Sequence, residues 1–356
     1  MQKALIAMSG GVDSSLAAAL TMRDGYDCLG VTMLLLPDED EKKKYEYGCL
    51  AEEEARCASE VASLLGIEHR TVRMKADFER LVIAQFIEAY RSGKTPNPCV
   101  ECNRHIKFSS LDEYAKEEGC DVLVTGHYAR IERDAQSGRA YLCRADDKKK
   151  DQTYFLWTLT PDRLRRIRFP IGELTKDEVR ALSEELSLPT AKKKDSQDIC
   201  FVKTDYVDFI RRFTGRDFPV GDFIDTCGNV LGRHSGIINY TIGQRKGLGI
   251  ALGEPMYVIA KDAKKNCVVL GRNEELFTKS VYASDISLCV EEREIHDCMA
   301  VSAKIRYNQP PVCGRLSLLG EGRIHIEFEE SVRAVSPGQS LVFYSGDIVL
   351  GGGIIE

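Results

Sequence analysis

The chain has 356 residues, 43% hydrophobic and 29% charged, with a net charge of −6; this is the composition of a globular protein of two or three domains, not of a uniformly basic nucleic-acid binder. No run of eighteen or more apolar residues occurs, and the N-terminal residues read straight into a strand. No membrane span, signal or transit peptide is therefore expected, and a cytoplasmic location is.

In chain order, KALIAM and DCLGVTMLLL are continuous apolar runs that predict buried parallel strands. SSLAAALTMRDG between them has helical spacing and ends on a glycine. EEEARCASEVASLLGI predicts a helix, HRTVRMK a strand and DFERLVIAQFIEAYRSG a long amphipathic helix. KFSSLDEYAKEEG is again helical, and CDVLVTGHYARI reads as a strand followed by a loop. This alternation predicts an α/β domain over residues 1–205, a doubly wound parallel sheet that binds ligands at the carboxyl ends of its strands. KTDYVDFIRRFTG and the glycine-rich YTIGQRKGLGIALGEP fall in a small mixed domain, residues 206–277. VSAKIRY, GRLSLL, RIHIEFE and SLVFY alternate apolar and polar residues, which predicts a small C-terminal antiparallel β-barrel or sandwich over 278–356.

The first strand and helix are joined by SGGVDSS, Ser9 to Ser15. Backbone N–H groups at a helix start, with glycines permitting close approach, make an anion site. Loops that serve γ-phosphate cleavage carry a lysine, and none follows here. The pattern suits gripping pyrophosphate as it leaves, with cleavage between the α and β phosphates of ATP and Asp13 as a partner of Mg²⁺ on those phosphates.

The thirteen cysteines are an odd number scattered through a large chain, and reduced thiols are the expectation. Most, such as Cys28, Cys57, Cys120, Cys143 and Cys289, read as small buried hydrophobes. Two contexts differ. GKTPNPCVECNRHIKF holds Cys99 and Cys102; its prolines and glycine predict an irregular polar loop with exposed thiols, and Arg104, His105 and Lys107 nearby predict lowered thiol pKa values. KKKDSQDICF holds Cys200 behind three lysines, again favouring thiolate. The C-x-x-C reads as a redox pair, half a metal site or coincidence, and three thiolates at Cys99, Cys102 and Cys200 are also candidate ligands of a [4Fe-4S] cluster with one open iron. Between Arg144 and Arg168 eight Lys or Arg stand against four Asp, and Lys192, Lys193 and Lys194 follow; two such runs suggest a surface for a polyanion.

SGGVDSS in this setting resembles the PP-loop pyrophosphatases, which activate substrates by adenylation. With AMSGGVDSS, TPNPCVECN, TGHYAR, KDQTYFL, KDSQDICF, YTIGQRKGLGI, RYNQ and PGQSLVFY in order, the whole chain resembles the bacterial tRNA-uridine 2-sulfurtransferases, or tRNA-specific 2-thiouridylases. The resemblance implies ATP binding by Ala7, Met8, Ser9, Gly10, Gly11, Val12, Asp13 and Ser14, with Met33 and Gly126 nearby. It implies a catalytic nucleophile at Cys102, a persulfide carrier at Cys200 and a disulfide between them during turnover. Asn97, Pro98 and Cys99 match the part that approaches the base; His127, Lys150, Asp151, Gln152, Arg306, Tyr307 and Gln339 match tRNA-contacting positions. The implied reaction is ATP-dependent 2-thiolation of the wobble uridine in tRNAs of the Lys, Glu and Gln type, with a desulfurase or relay protein as sulfur donor. Many family members carry Asp where this chain has Cys99, which strengthens the cluster reading. The rival readings are another PP-loop adenylating ligase, a thiolase using a labile cluster instead of a persulfide, a non-catalytic cluster- or RNA-binding protein, and 4-thiolation of uridine.

Overall fold

The computed structural model describes residues 1–36, 48–194, 199–202, 205–251 and 253–356, with the side chains of 48–51 excepted. Part of the KKKDSQDICF motif, residues 195–198, lies outside the described residues.

The strands in chain order are β1 (Lys3–Ala7), β2 (Asp27–Leu34), β3 (Glu68–Arg73), β4 (Val122–Thr125), β5 (Ala129–Arg133), β6 (Ala140–Arg144) and β7 (Ile167–Arg168). Five of them form a parallel sheet in the order β3-β2-β1-β4-β7. Ala4, Leu5 and Ile6 of β1 are fully buried, as a strand covered on both faces requires. Helices Val12–Arg23 and Gly48–Leu65 cover one face. The helical stretch from Lys75 to Arg91 and the segment from Pro98 to Glu117 pack on the other, through Phe78, Phe86, Ile106 and Leu111. β1 lies between β2 and β4, so the chain order reverses at β1 and the crevice at its carboxyl end is the expected ligand position.

A second sheet, order β10-β11-β8-β9, is built from β8 (Gly221–Ile224), β9 (Val230–His234), β10 (Tyr257–Asp262) and β11 (Cys267–Gly271) and follows the helix Tyr206–Thr214. The last six strands are β12 (Phe277–Leu288), β13 (Met299–Lys304), β14 (Val312–Gly320), β15 (Arg323–Arg333), β16 (Ser340–Ser345) and β17 (Ile348–Ile355). They run antiparallel in the order β12-β15-β14-β13-β16-β17, and β17 pairs back onto β12 to close a barrel. Closure removes the unpaired edges an open sheet would leave. The β5–β6 hairpin, the start of whose first strand falls in the loop expected after CDVLVTG, joins this barrel through Ile348 opposite Cys143. Among the described residues no helix is long and apolar enough to cross a membrane.

Candidate active site

The loop after β1 is held open by its own hydroxyls. Ser9 N–H donates to Ser14 Oγ at 3.1 Å, while Ser14 and Ser15 hydroxyls donate to Gly11 C=O at 3.1 and 2.8 Å. Among the described residues no side chain caps the helix that begins at Val12, which leaves its first N–H groups open at the loop. Gly10 has φ +68°, and a Cβ there would lie 2.3 Å from the carbonyl oxygen of Glu54; only glycine lets the loop turn this tightly.

The lysine absent from the loop arrives from elsewhere in the chain. Lys176 is the first residue of the helix Lys176–Glu185, which a reciprocal Thr175–Glu178 cap starts. Its Nζ donates to both oxygens of Asp13 at 2.8 and 2.9 Å. Lys193 reaches the carbonyl of Gly10 at 3.0 Å, so one lysine of the KKK run serves the loop and not Cys200. Sequence reading missed Lys176; its one local signal is the T-x-x-E cap that fixes where its helix begins. The Tyr128 hydroxyl donates to the same Asp13 carboxylate at 2.7 Å. Asp13 therefore holds a lysine in place and does not present a free carboxylate, and among the described residues no group of three His, Cys, Asp or Glu could hold a metal ion. A Mg²⁺ carried on nucleotide phosphates needs only one or two protein carboxylates, so the role expected of Asp13 there does not call for such a group. Cys99, Cys102 and Cys200 do not form one among the described residues, which removes them as a cluster-ligand set.

The stretch around Cys99 and Cys102 is helical, contrary to the loop expectation. Asn97 accepts a hydrogen bond from Cys99 N–H at 3.2 Å and Pro98 takes the first helical position, where its missing N–H costs nothing. Pro98–Glu101 forms one turn and Cys102–Ser110 continues it with widened, π-type turns. Cys102 is consequently buried, while Cys99 and Cys200 are exposed residues close enough for their charges to act on it and on each other. Cys200 is placed by its neighbour Phe201, which is buried edge-on against Phe78 and Phe86.

The expectation of lowered thiol pKa values is overturned. Burial raises Cys102 to about 11, and protein crowded around the Cys200 sulfur, although the residue as a whole is exposed, raises that thiol to about 12; Cys99 raises both further and Cys102 adds to Cys200, with Lys107 opposing. Burial raises Cys99 too, again against Lys107. Desolvation outweighs the cation, because the fold turns the other nearby bases away.

One turn connects nucleotide loop and thiols. After β4 the chain runs Thr125, Gly126, His127, Tyr128. Gly126 packs so tightly on the loop that a Cβ would lie 2.7 Å from Asp13 C and Ser14 N. Tyr128 holds Asp13. His127, set between Phe108 and Phe169 at ring distances of 5.8 and 5.9 Å, approaches Lys107 Nζ with Nε2 at 3.4 Å and Thr125 Oγ1 with Nδ1 at 2.7 Å. Burial pushes its pKa well below the ordinary histidine value, with Lys107 adding to the effect. A neutral ring beside a donor-only ammonium must accept at Nε2 and donate from Nδ1 to Thr125. Met33 and Ala7, at the ends of β2 and β1, complete the carboxyl edge of the sheet on which the expected nucleotide residues gather.

Other expected positions turn inward. Asp151 is buried and accepts from Ala145 N–H at 3.2 Å and the Thr153 hydroxyl at 3.0 Å. Gln152 accepts from Tyr128 N–H at 2.9 Å. Arg306 donates to the carbonyls of Ile242 and Ala334 and to Ser336, joining the connection between β9 and β10 to the barrel. Gln339 donates to the carbonyls of Thr95 and Pro96 at 2.9 and 3.3 Å and so fixes the entry to the Cys99 turn. Tyr307 packs on Phe155 at 4.5 Å. The half-buried Lys150 closes a turn on Asp147. The basic run is largely engaged within the chain: Lys148 pairs with Asp347, Arg166 with Asp112 and Arg144 with Asp151. Asn97 and Pro98 line a groove of about 460 Å³, shared with Gln85, Arg104 and Asp285.

A switch-point loop with an open helix start, completed by distant lysines, defines the nucleotide-binding domain of a PP-loop enzyme. Residues 2–204 match the family described as tRNA methyl transferase HUP domain, 207–272 its PRC-barrel domain, and 278–355 the aminomethyltransferase beta-barrel domain. The tRNA-specific 2-thiouridylase MnmA of Clostridioides difficile is 46% identical over 356 residues, covering 100% of this chain and 98% of that protein. Its counterpart in Acetivibrio thermocellus is also 46% identical, at 100% and 99% coverage, and that of Carboxydothermus hydrogenoformans is 45% identical, at 100% and 98%. The chain belongs to the family of the tRNA-specific 2-thiouridylases, which are tRNA sulfurtransferases. A solved 4-thiouridine synthetase–RNA complex with bound ATP aligns at 18% identity and a TM-score of 0.33 over 56% of this chain and 45% of that one, too slight a likeness to bear on function.

Proposed function

We propose that the protein uses ATP to activate the C2 oxygen of the wobble uridine in tRNAs of the Lys, Glu and Gln type, and replaces that oxygen with sulfur carried by Cys200. The observation that carries this reading is the four-residue turn Thr125–Tyr128, which packs on the phosphate loop at Gly126 and reaches the thiol side through His127 and Lys107. Adenylation and sulfur transfer thus have their groups on two sides of one rigid turn.

The C2 oxygen of uracil is a poor leaving group, and attack on the α-phosphate of ATP converts it to AMP, a good one, with release of pyrophosphate. The helix start at Val12 and the lysines Lys176 and Lys193 suit a polyanion gaining charge. A persulfide on Cys200, charged by a desulfurase or relay protein, attacks C2 through its terminal sulfur and expels AMP. Cys102 then attacks Cys200 Sγ; the S–S bond to the base breaks, its electron pair stays on the sulfur now bound to C2, and a Cys102–Cys200 disulfide remains for an external thiol to reduce. The wobble base must leave the anticodon stack to reach this cleft, and the groove beside Asn97 and Pro98 is the approach this reading favours.

The test is nucleoside mass spectrometry of unmodified tRNA incubated with the protein, Mg-ATP and a persulfide donor. ATP-dependent 2-thiouridine that disappears in Cys200→Ser is expected. Full activity of Cys200→Ser with the persulfide donor refutes the carrier role, and no thiolated nucleoside from any sulfur source returns the adenylating-ligase reading.

A further inference from the structure

Three basic residues follow Cys102, and the fold disposes of two. Arg104 pairs with Asp285 at 2.5 Å, its guanidinium 5.1 Å from the Trp157 ring centroid. His105 faces Glu101 at 3.3 Å. Lys107 differs: half-buried, it forms no ion pair with a described carboxylate, and its side-chain partner among the described residues is the neutral His127. The widened turns of Cys102–Ser110 close from residue i to i+5, which brings Lys107 one turn on from Cys102 on the same side. An ordinary α-helix would point residue i+5 away.

We propose that Lys107, held in place by His127, is the fixed cation that stabilises sulfur anions as they form at Cys102 and Cys200. Among the described residues, the charged and titratable groups that act on these thiols and on Lys107 are Cys99 and Cys102 from the same helix, Cys200 from the 199–202 turn, His127 from the loop after β4, and Glu54, whose charge acts on Cys200 from the helix Gly48–Leu65. Among the described residues Lys107 is the one cation that eases ionisation at all three thiols. A cation needs a partly desolvated setting to act strongly on a thiolate, and a carboxylate partner would cancel it. The neutral imidazole meets both needs: it accepts one ammonium hydrogen without adding charge. The service to turnover rests on the sulfur-transfer reading, whereas the cation's hold on the thiols does not.

The test is iodoacetamide alkylation of the full-length protein without ATP, tRNA or sulfur donor, read peptide by peptide by mass spectrometry between pH 7 and 9. Below its pKa a thiol's reactive fraction changes tenfold per unit of pKa, so Lys107→Met is expected to slow Cys102 and Cys200 by about tenfold. Lys107→Arg should restore most of the rate. Exposed Cys298 and Cys313 on the barrel serve as internal standards, and Cys289, 0% exposed where Cys102 keeps 9% of its surface, stays unlabelled while the fold is intact. If Lys107→Met labels Cys289, the same reading is taken from Lys107→Gln. Wild-type rates at Cys102 and Cys200 in a folded charge-free variant overturn the proposal. Because no sulfur transfer occurs in the assay, that result leaves the function proposed above untouched, and loss of that function leaves this one standing.

Discussion

Gly126→Ala tests whether the turn after β4 is the physical joint between nucleotide loop and thiols. The added Cβ would lie 2.7 Å from Asp13 C and Ser14 N, backbone atoms that no rotamer change can move, and ordinary contact begins at 3.4 Å. Loop and turn must therefore separate by about 0.7 Å, the difference between those figures. Overpacking of this kind costs about 1–3 kcal/mol. For a domain of about 200 residues each kcal/mol lowers the melting temperature by about 2–4 °C, so a fall of about 2–12 °C is expected. The same displacement moves the open N–H groups of the helix start. Tenfold in affinity corresponds to about 1.4 kcal/mol, so ATP binding should weaken by about ten- to a hundredfold in titration calorimetry if the strain is released on the loop side. Unchanged melting and unchanged ATP affinity together would refute the close packing. Lower melting with unchanged affinity would show that the packing is real but that the turn is no part of the nucleotide site.

Three further outcomes follow from the same geometry. Lys176→Met removes both hydrogen bonds to Asp13; ATP-dependent pyrophosphate release should fall by about a hundredfold, the usual effect of losing one donor to a developing anion, and unchanged release alongside a lower melting temperature would reduce Lys176 to a structural role. Gln339→Ala frees the carbonyls of Thr95 and Pro96 at a cost of about 1–2 kcal/mol; thiolation should slow while pyrophosphate release holds, as separate assays of the two products would reveal. Cys102 titrates near 11 in the folded chain against an ordinary 9.0, so its neutral thiol stabilises the fold fully below pH 9 and that stability drains as pH rises toward 11. Urea unfolding of Cys102→Ala should show a shallower loss over that window, by up to about 1.4 kcal/mol per pH unit.

How much of this was legible depends on the range of the interaction concerned. The parallel sheet was readable because a strand covered on both faces is written as an unbroken apolar run, as in β1 and β2, and the glycine turn between them is local. The Cys99 segment was misread for a local reason: prolines were taken as helix breakers, although Pro98 stands at the first helical position behind an Asn97 cap and there starts a helix. The thiol pKa values were misread because neighbours in sequence were weighed and burial was not; Arg104 and His105 lie within a few residues of Cys102 yet pair elsewhere. Lys176 and the β5–β6 hairpin left no readable signal of their partners, 163 residues away for Asp13 and on β17 for Cys143.

Those long-range contacts also change what the C-terminal barrel is for. Trp157 Nε1–H donates to Ser340 Oγ at 3.0 Å and Tyr154 OH to Ser340 C=O at 3.0 Å, so KDQTYFLW is bolted to β16. Gly352 allows the Trp157 ring to lie against β17, where a Cβ would come within 2.6 Å. Thr95 N–H donates to Pro337 C=O at 2.8 Å, and Gln339 holds the next two carbonyl positions. The residues flanking the Cys99 turn thus take their backbone partners from a strand connection some 240 positions later. A barrel that served only to grip RNA would not need to reach under the reactive turn. Its contacts place it in the scaffold of the thiol site, so that perturbing the barrel disturbs the position of Cys99 and Cys102 before any RNA arrives.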